Sequence, residues 1–274
     1  MKLITRIFDF YIDASIHVAL AVFSLVHITA LTLRINLNEN LSYVAFFGTI
    51  VMYNFVKYGI EAEKYILVAN RYHKNIQFFS LLAFGGALYF ARFLSVDIWI
   101  GVGVLLFITG LYALPVLPQA KNLRSLGGFK IFLVAIVWAG TTVFLVVLSA
   151  SEKLSWDVWI EGIQRFIIVF VLLIPFEIRD LKYDAPDLRT LPQQFGVTNV
   201  KFFGAFATLL FFLLTFLKDT LSTTEALHKG ILFLLLGALM FVTRRNQTNY
   251  FSSFWVESIP IVWWGIIWGL MKII

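Results

Sequence analysis

The run from Glu177 to Gly196 carries more potential chemistry than any other stretch of this chain. It reads Glu177-Ile178-Arg179-Asp180-Leu181-Lys182-Tyr183-Asp184, and then Ala185-Pro186-Asp187-Leu188-Arg189-Thr190-Leu191-Pro192-Gln193-Gln194-Phe195-Gly196. If the preceding helix continues through it, Glu177, Asp180 and Asp184 fall at i, i+3 and i+7 on one face. Three carboxylates gathered there repel one another unless a cation joins them. Mg²⁺ suits that arrangement, because it takes oxygen ligands and is commonly shared with substrate phosphates. Arg179, with its fork of donors, and Lys182, a point charge, could hold the same phosphates. The competing reading is a charged loop whose alternating signs form solvated pairs.

The elements that must position these groups follow from composition. Of 274 residues, 60% are apolar, 17% aromatic and only 14% charged, against roughly 25% charged in an ordinary soluble domain. Twenty-two bases and sixteen acids cannot coat a soluble fold of this length, so the apolar exterior must be supplied by a bilayer. The net charge of +6 comes from bases scattered between apolar runs, with no dense basic tract, which argues against a nucleic-acid partner. No cysteine is present, which removes disulfides, thiolate-held zinc and thiol nucleophiles. The basic start (Met1 to Arg6) precedes an apolar run carrying Asp9, Asp13 and His17, and it reads as a retained helix, not a cleaved leader.

Nine apolar stretches approach the length of a membrane crossing: 10–33, 41–60, 76–94, 96–114, 130–150, 157–176, 200–217, 228–243 and 252–272. Continuous apolar runs without inside/outside alternation exclude strands, and helices satisfy their own backbone in lipid. The expectation is an all-α, polytopic bundle of nine transmembrane helices, forming one domain over 1–274. Fifteen of the 22 bases fall on one side, which places the N-terminus and the even-numbered loops in the cytoplasm and the C-terminus outside. The expected compartment is a bacterial inner membrane.

The segment Ile178 to Gly196 resembles the second aspartate-rich motif of the UbiA superfamily of intramembrane prenyltransferases. There an R-D-x-x-x-D core is followed by a polar turn, by T-L-P or T-L-A, and by a Leu-Gly or Phe-Gly pair. Arg179, Asp180, Asp184, Thr190, Leu191, Pro192 and Gly196 stand in the matching places, and the nine-helix count and the position after the sixth helix also match. The resemblance implies transfer of an isoprenyl group from a prenyl diphosphate to a lipophilic, typically aromatic, acceptor at the cytoplasmic side. It implies Mg²⁺ as cofactor, with Asp180 and Asp184 as metal ligands and Arg179 and Lys182 as diphosphate contacts. Lys121 and Arg124, between the fourth and fifth spans, fall where the family places basic residues near the diphosphate; the other reading of them is topology signalling alone. The family's first motif, N-D-x-x-D-x-x-x-D, is degenerate here. Asn54 keeps the leading asparagine, a candidate substrate contact, but Phe55, Tyr58 and Ala62 replace the three aspartates. Glu61 could ligate a cation from a shifted position, or pair with Lys64 at i+3.

Other polar groups have two readings each. Asp9, Asp13 and His17 repeat every four residues and could supplement the metal site or pair structurally. His73, beside Arg71 and Lys74, reads as an exposed loop residue. Glu161 and Arg165 read as a pair inside the sixth span. Glu257, in the last span near Ser258 and Pro260, faces either a central cavity or a structural hydrogen-bond partner. Among the last tryptophans, Trp255, Trp263, Trp264 and Trp268 include interfacial anchors. The missing first-motif carboxylates leave a second reading beside the enzyme: a non-catalytic UbiA-fold protein that binds lipid or isoprenoid, or acts in assembly.

Overall fold

The computed structural model describes residues 2–60, 71–113, 128–185, 188–248 and 250–273, and among these there is no strand. Six helical segments are long and apolar enough to cross a membrane: Ile16–Leu33, Phe129–Ser149, Trp156–Asp180, Val197–Leu217, Thr223–Val242 and Phe251–Ile273. Six of the nine expected crossings therefore meet both conditions. The other three stretches are also helical: α3 (Glu39–Asn54), α4 (Arg71–Ala91) and α5 (Val96–Ala113), the last apolar over Val96–Leu111.

The first expected crossing, 10–33, is two helices. α1 (Lys2–Asp13) and α2 (Ile16–Leu33) are separated at Ser15, whose φ of 59° is left-handed. The break is held from outside: the Ser15 hydroxyl donates to Asn54 Oδ1 at 2.8 Å, and Asn54 Nδ2 donates to the Ala14 carbonyl at 3.0 Å. An interrupted backbone must find such partners when buried. Asp9, Asp13 and His17 therefore do not share one helical face. α1 turns Leu3, Ile4 and Ile7 outward, while Phe8 meets the rings of Tyr250 and Phe254 at 5.3 and 5.1 Å. A helix with that division of faces suits the lipid–water interface.

The remaining helices pack around α8 (Trp156–Asp180), whose apolar window is 72% buried against 28% for Val197–Leu217 and 22% for Phe251–Ile273. α8 lies against α6 (Phe129–Ala139) on one side and α10 (Val197–Leu214) on the other. α10 pairs with α11 (Thr223–Val242), α11 with α12 (Ile259–Ile273), and α12 returns to α2. α3 packs on both α2 and α4, and α5 rests on α6. The α5 contact needs two small residues: a Cβ on Gly101 would lie 2.5 Å from Leu145, and one on Gly140 would lie 2.6 Å from Leu105. Close backbone approach of this kind is how helices associate in lipid, which offers no hydrophobic drive between them. Phe202, Phe206, Leu213 and Phe241 point outward as lipid-facing surface. Trp255 and Trp268 are exposed, as interfacial anchors are, whereas Trp263 is fully buried and donates to His228 Nδ1 at 3.2 Å.

Among the described residues, three π-helical turns interrupt the rods, at Phe55–Ile60, Gly140–Phe144 and Phe251–Val256. The second joins α6 to α7 (Leu145–Ser149), and the third leads into α12.

α8 is locked in place by buried charge. Glu161 receives Lys229 at 2.8 Å, and Arg165 and Lys218 approach it at 3.6 and 3.8 Å; Glu225 receives Lys218 at 2.5 Å and Lys229 at 2.8 Å. Arg165 also donates to the Leu25 carbonyl, Thr29 and Thr142, and Gln164 joins Lys229 to Thr215. The pair expected between Glu161 and Arg165 is present as part of this wider set. Removing one partner of a buried ion pair leaves an uncompensated charge, at a cost of about 3–5 kcal/mol. Lys229→Met is accordingly expected to lower the thermal unfolding midpoint of the purified protein markedly. Adding Glu161→Gln to it is expected to restore part of the loss, and unfolding followed by tryptophan fluorescence checks both.

Candidate functional site

A cavity of about 670 Å³ lies inside the bundle. Its body is apolar, with walls that include Val18, Val22, Leu41, Leu105, Trp138 and Leu172. α3 contributes to it from Leu41 to Tyr53, a rise of about 18 Å at roughly 1.5 Å per residue, and the π turn that follows adds Val56 and Lys57. One end is charged, with Lys57, Lys130, Glu177, Arg179, Asp180 and Glu257 on its wall. All three π turns border this space, through Val56 and Lys57, through Thr141, and through Ser253 and Val256. A second depression of about 860 Å³, lined by residues such as Arg34, Glu152, Lys153 and Asp219, does not include the Arg179–Asp184 segment.

The charged mouth is assembled where α3 and α8 end and α6 and α12 begin. α8 stops at Asp180, and the Tyr183 and Asp184 amides turn back onto the Asp180 carbonyl at 2.8 and 2.9 Å. The bond from the Asp184 amide carries one more helical turn past α8, and the charges of Asp180 and Asp184 both reach Glu177. Glu177 and Asp180 lie on the cavity wall. Thr190 caps the short α9 (Leu191–Phe195), with its amide donating to Gln193 Oε1 at 2.9 Å. The Thr-Leu-Pro part of the motif is thus a helix start. The same loop ties down α6: the Gly128 amide donates to the Arg189 carbonyl at 3.2 Å, and a Cβ on Gly128 would press on Leu191 at 2.9 Å. Lys130, two residues on, then meets Glu177 Oε1 at 2.7 Å.

Charges at the mouth are largely paired. Arg179 grips both oxygens of Asp180, at 2.7 and 3.1 Å. Lys57 lies 3.4 Å from Asp13, whose other oxygen accepts the Tyr72 hydroxyl at 2.9 Å. Burial first, and the bond to Asp13 second, hold the Tyr72 hydroxyl above its ordinary pKa, so it stays a donor at neutral pH. Asp9 accepts from Tyr250 at 2.6 Å, and His17 is hydrogen-bonded to Tyr11 at 2.7 Å and to the Phe254 carbonyl at 3.0 Å. Asp9, Asp13 and His17 are therefore tied into structural pairs and do not line the cavity.

Of the residues singled out by sequence, Arg179 and Asp180 meet at the mouth. Lys182 is exposed, with its ammonium 4.7 Å from the Tyr183 ring centre, and is off the cavity wall. Asn54 is buried and also off the wall; its amide donates to Ser80 as well as to Ala14. Glu61, Lys121 and Arg124 lie outside the described residues. In the sequence Lys57 and Lys130 count only among the fifteen bases of one side. A lysine in the first turn of a helix, as Lys130 is in α6, opposes the helix dipole and so favours a nearby acid, but the pattern does not name which one.

Among the described residues no group of three histidine or carboxylate side chains is placed to hold a metal ion; Asp180 is paired with Arg179, and one Glu177 oxygen with Lys130.

The buried contacts of Asn54 give it a measurable structural role. Asn54→Ala leaves the Ser15 hydroxyl and the Ala14 carbonyl without their partner, at about 1–3 kcal/mol per unsatisfied group, while Ser80 keeps its bond to the Ile76 carbonyl. Faster hydrogen exchange at residues 14–17 and a lower unfolding midpoint are the expected outcome.

Neither a protein-family model nor a curated protein sequence matches this chain. Two solved structures resemble it over most of its length. One is the apo form of a UbiA homologue from Aeropyrum pernix K1, at 12% identity and a TM-score of 0.64, covering 94% of this chain and 98% of that one. The other comes from work on digeranylgeranylglyceryl phosphate synthase in membranes, at 16% identity and a TM-score of 0.57, covering 94% of each chain. An apolar cavity inside a helical bundle, with an Arg-Asp pair closing one end, thus sits in a chain that carries the UbiA fold.

Proposed function

We propose that this protein is a membrane prenyltransferase that takes an isoprenyl diphosphate, chain first, into the cavity and transfers the isoprenyl group to a lipophilic acceptor. The observation that carries this reading is the union, in one cavity, of a long apolar body with a charged mouth holding Arg179 and Asp180. A prenyl chain matches the body. Its diphosphate matches Arg179, which uses only two of its guanidinium donors on Asp180, together with Lys57 and Lys130. The bias of basic residues supports a mouth that opens on the cytoplasmic side.

In the proposed reaction the bond between C1 of the prenyl group and the diphosphate oxygen breaks, and pyrophosphate leaves with the electron pair. Lys57, Lys130 and Arg179 stabilise that developing charge. The allylic cation lies among Tyr53, Trp138 and Phe176, whose ring faces attract positive charge. The acceptor's nucleophilic atom forms the new bond to C1 and its proton is released.

The second reading, a protein that holds an isoprenoid without turning it over, is favoured by the pairing of the mouth's acids with its own cations. One experiment separates the two. Purified protein is expected to bind prenyl diphosphates of some chain length, measured with Mg²⁺ and with chelator, and to form a prenylated product with membrane-lipid extract as acceptor source. Arg179→Gln is expected to weaken binding about tenfold or more, the loss of a charge-assisted hydrogen bond, while Lys272→Gln, on the exposed end of α12, leaves it unchanged. Binding without any product favours the holder, and absence of binding at every chain length, with and without Mg²⁺, overturns both readings.

A further inference from the structure

The cavity wall contains one acid that its neighbours leave alone. Glu177 is paired with Lys130 and Asp180 with Arg179, but Glu257 has no hydrogen bond or ion pair among the described residues. It sits where the π turn Phe251–Val256 hands over to α12, with Ser253, Val256 and Pro260 beside it on the wall. Pro260 has no amide hydrogen, so the helix cannot close its usual bond onto the Val256 carbonyl at this level. π turns of this type recur at functional sites, where they re-aim a side chain. An acid inside a membrane span without a partner is costly, and such residues characteristically face a ligand path.

We propose that Glu257 marks a second subsite in the cavity, for a lipophilic molecule bearing a hydroxyl group, whose O–H donates to the Glu257 carboxylate. The cations whose charge reaches Glu257 are Lys57 and Arg179, each engaged with another acid. On the α1 side the group within its field is the Tyr11 hydroxyl, which is hydrogen-bonded to His17. Two cations at the mouth disfavour an amine as the guest, so a neutral donor fits best. The lipid character of the guest follows from the apolar body of the cavity, whose volume lies within the range of small-ligand pockets.

This inference rests on the proposed transfer reaction for its consequence, in which Glu257 takes the acceptor's proton. As the acceptor oxygen's lone pair forms the bond to C1, the O–H proton moves to a Glu257 oxygen. The C1–O bond to the diphosphate breaks, pyrophosphate leaves with that electron pair, and Glu257 later returns the proton to water.

The subsite is tested without any prenyl diphosphate. 4-Nonylphenol and its methyl ether, 4-nonylanisole, share a tail and ring and differ in the O–H. Binding of each to purified protein is read by tryptophan fluorescence, since Trp138 lines the cavity. The native protein is expected to prefer the phenol by about tenfold, and Glu257→Leu to reduce the preference to near unity by weakening the phenol alone, the size of one lost hydrogen bond to a charged group. Glu257→Gln, which keeps the volume, is expected to fall between the two. Because the ratio is taken within each variant, a general loss of packing does not mimic the result. No phenol preference in the native protein, or the same preference in both variants, overturns the proposal. Prenyl-diphosphate binding is measured separately: its failure alongside a Glu257-dependent phenol preference sinks the transferase reading and leaves the subsite standing, and the converse sinks the subsite alone.

Discussion

The bundle depends on the charge set buried around Glu161. Lipid gives helices no reason to associate by apolar surface alone, so the contacts that choose neighbours are close packing and interhelical polar bonds. Here three cations and two acids, none of them open to lipid, join α8 to α11 and to the segment that precedes it, while Arg165 reaches α2 and the π turn after α6. A charge in this setting has no solvent to fall back on, so each partner fixes the rotation of the helix that bears it. α8 is thereby held with one end committed to structure. Its opposite end, at Glu177 to Asp180, meets the cavity, and the rigidity of the first end is what allows the second to present Arg179 and Asp180 in a defined place.

How far the sequence revealed this can be followed residue by residue. The helical class and the membrane setting follow from composition, since 14% charge leaves no alternative exterior. The pair Glu161–Arg165 was visible because i, i+4 spacing within a helix is local information. Lys218, Lys229 and Glu225 joined it only through the folding of α10 and α11 against α8, which no spacing within one helix encodes. The mouth shows the same division. Arg179 and Asp180 were legible from their motif. Asp184 lies one helical turn past Asp180, with its amide on the Asp180 carbonyl, as local spacing anticipates.

Asn54 illustrates a different limit. It was picked out by its position in a motif, yet its side chain is occupied by Ser15, Ala14 and Ser80, partners from two other helices' worth of sequence away. The residue therefore holds the kink between α1 and α2, and through it the placement of Asp13 beside Lys57. Lys57 and Lys130 were the opposite case, read for topology when their acids, Asp13 and Glu177, lie in distant segments. Long-range charge pairing is the common thread in what periodicity missed.

The three π turns have a consequence for how this chain can vary. Each carries one residue more than the α-helix it interrupts needs, and each borders the cavity. Deleting a single residue inside one of them would let the rod close as regular α-helix with the flanking turns still in register. The side chains of the turn itself, such as Lys57 and Thr141, would be re-aimed while every apolar side chain remained apolar. Point substitutions drift freely over most of such a lipid-facing surface. The shape of this cavity is therefore held partly in residue count, at 55–60, 140–144 and 251–256, and not in side-chain identity alone.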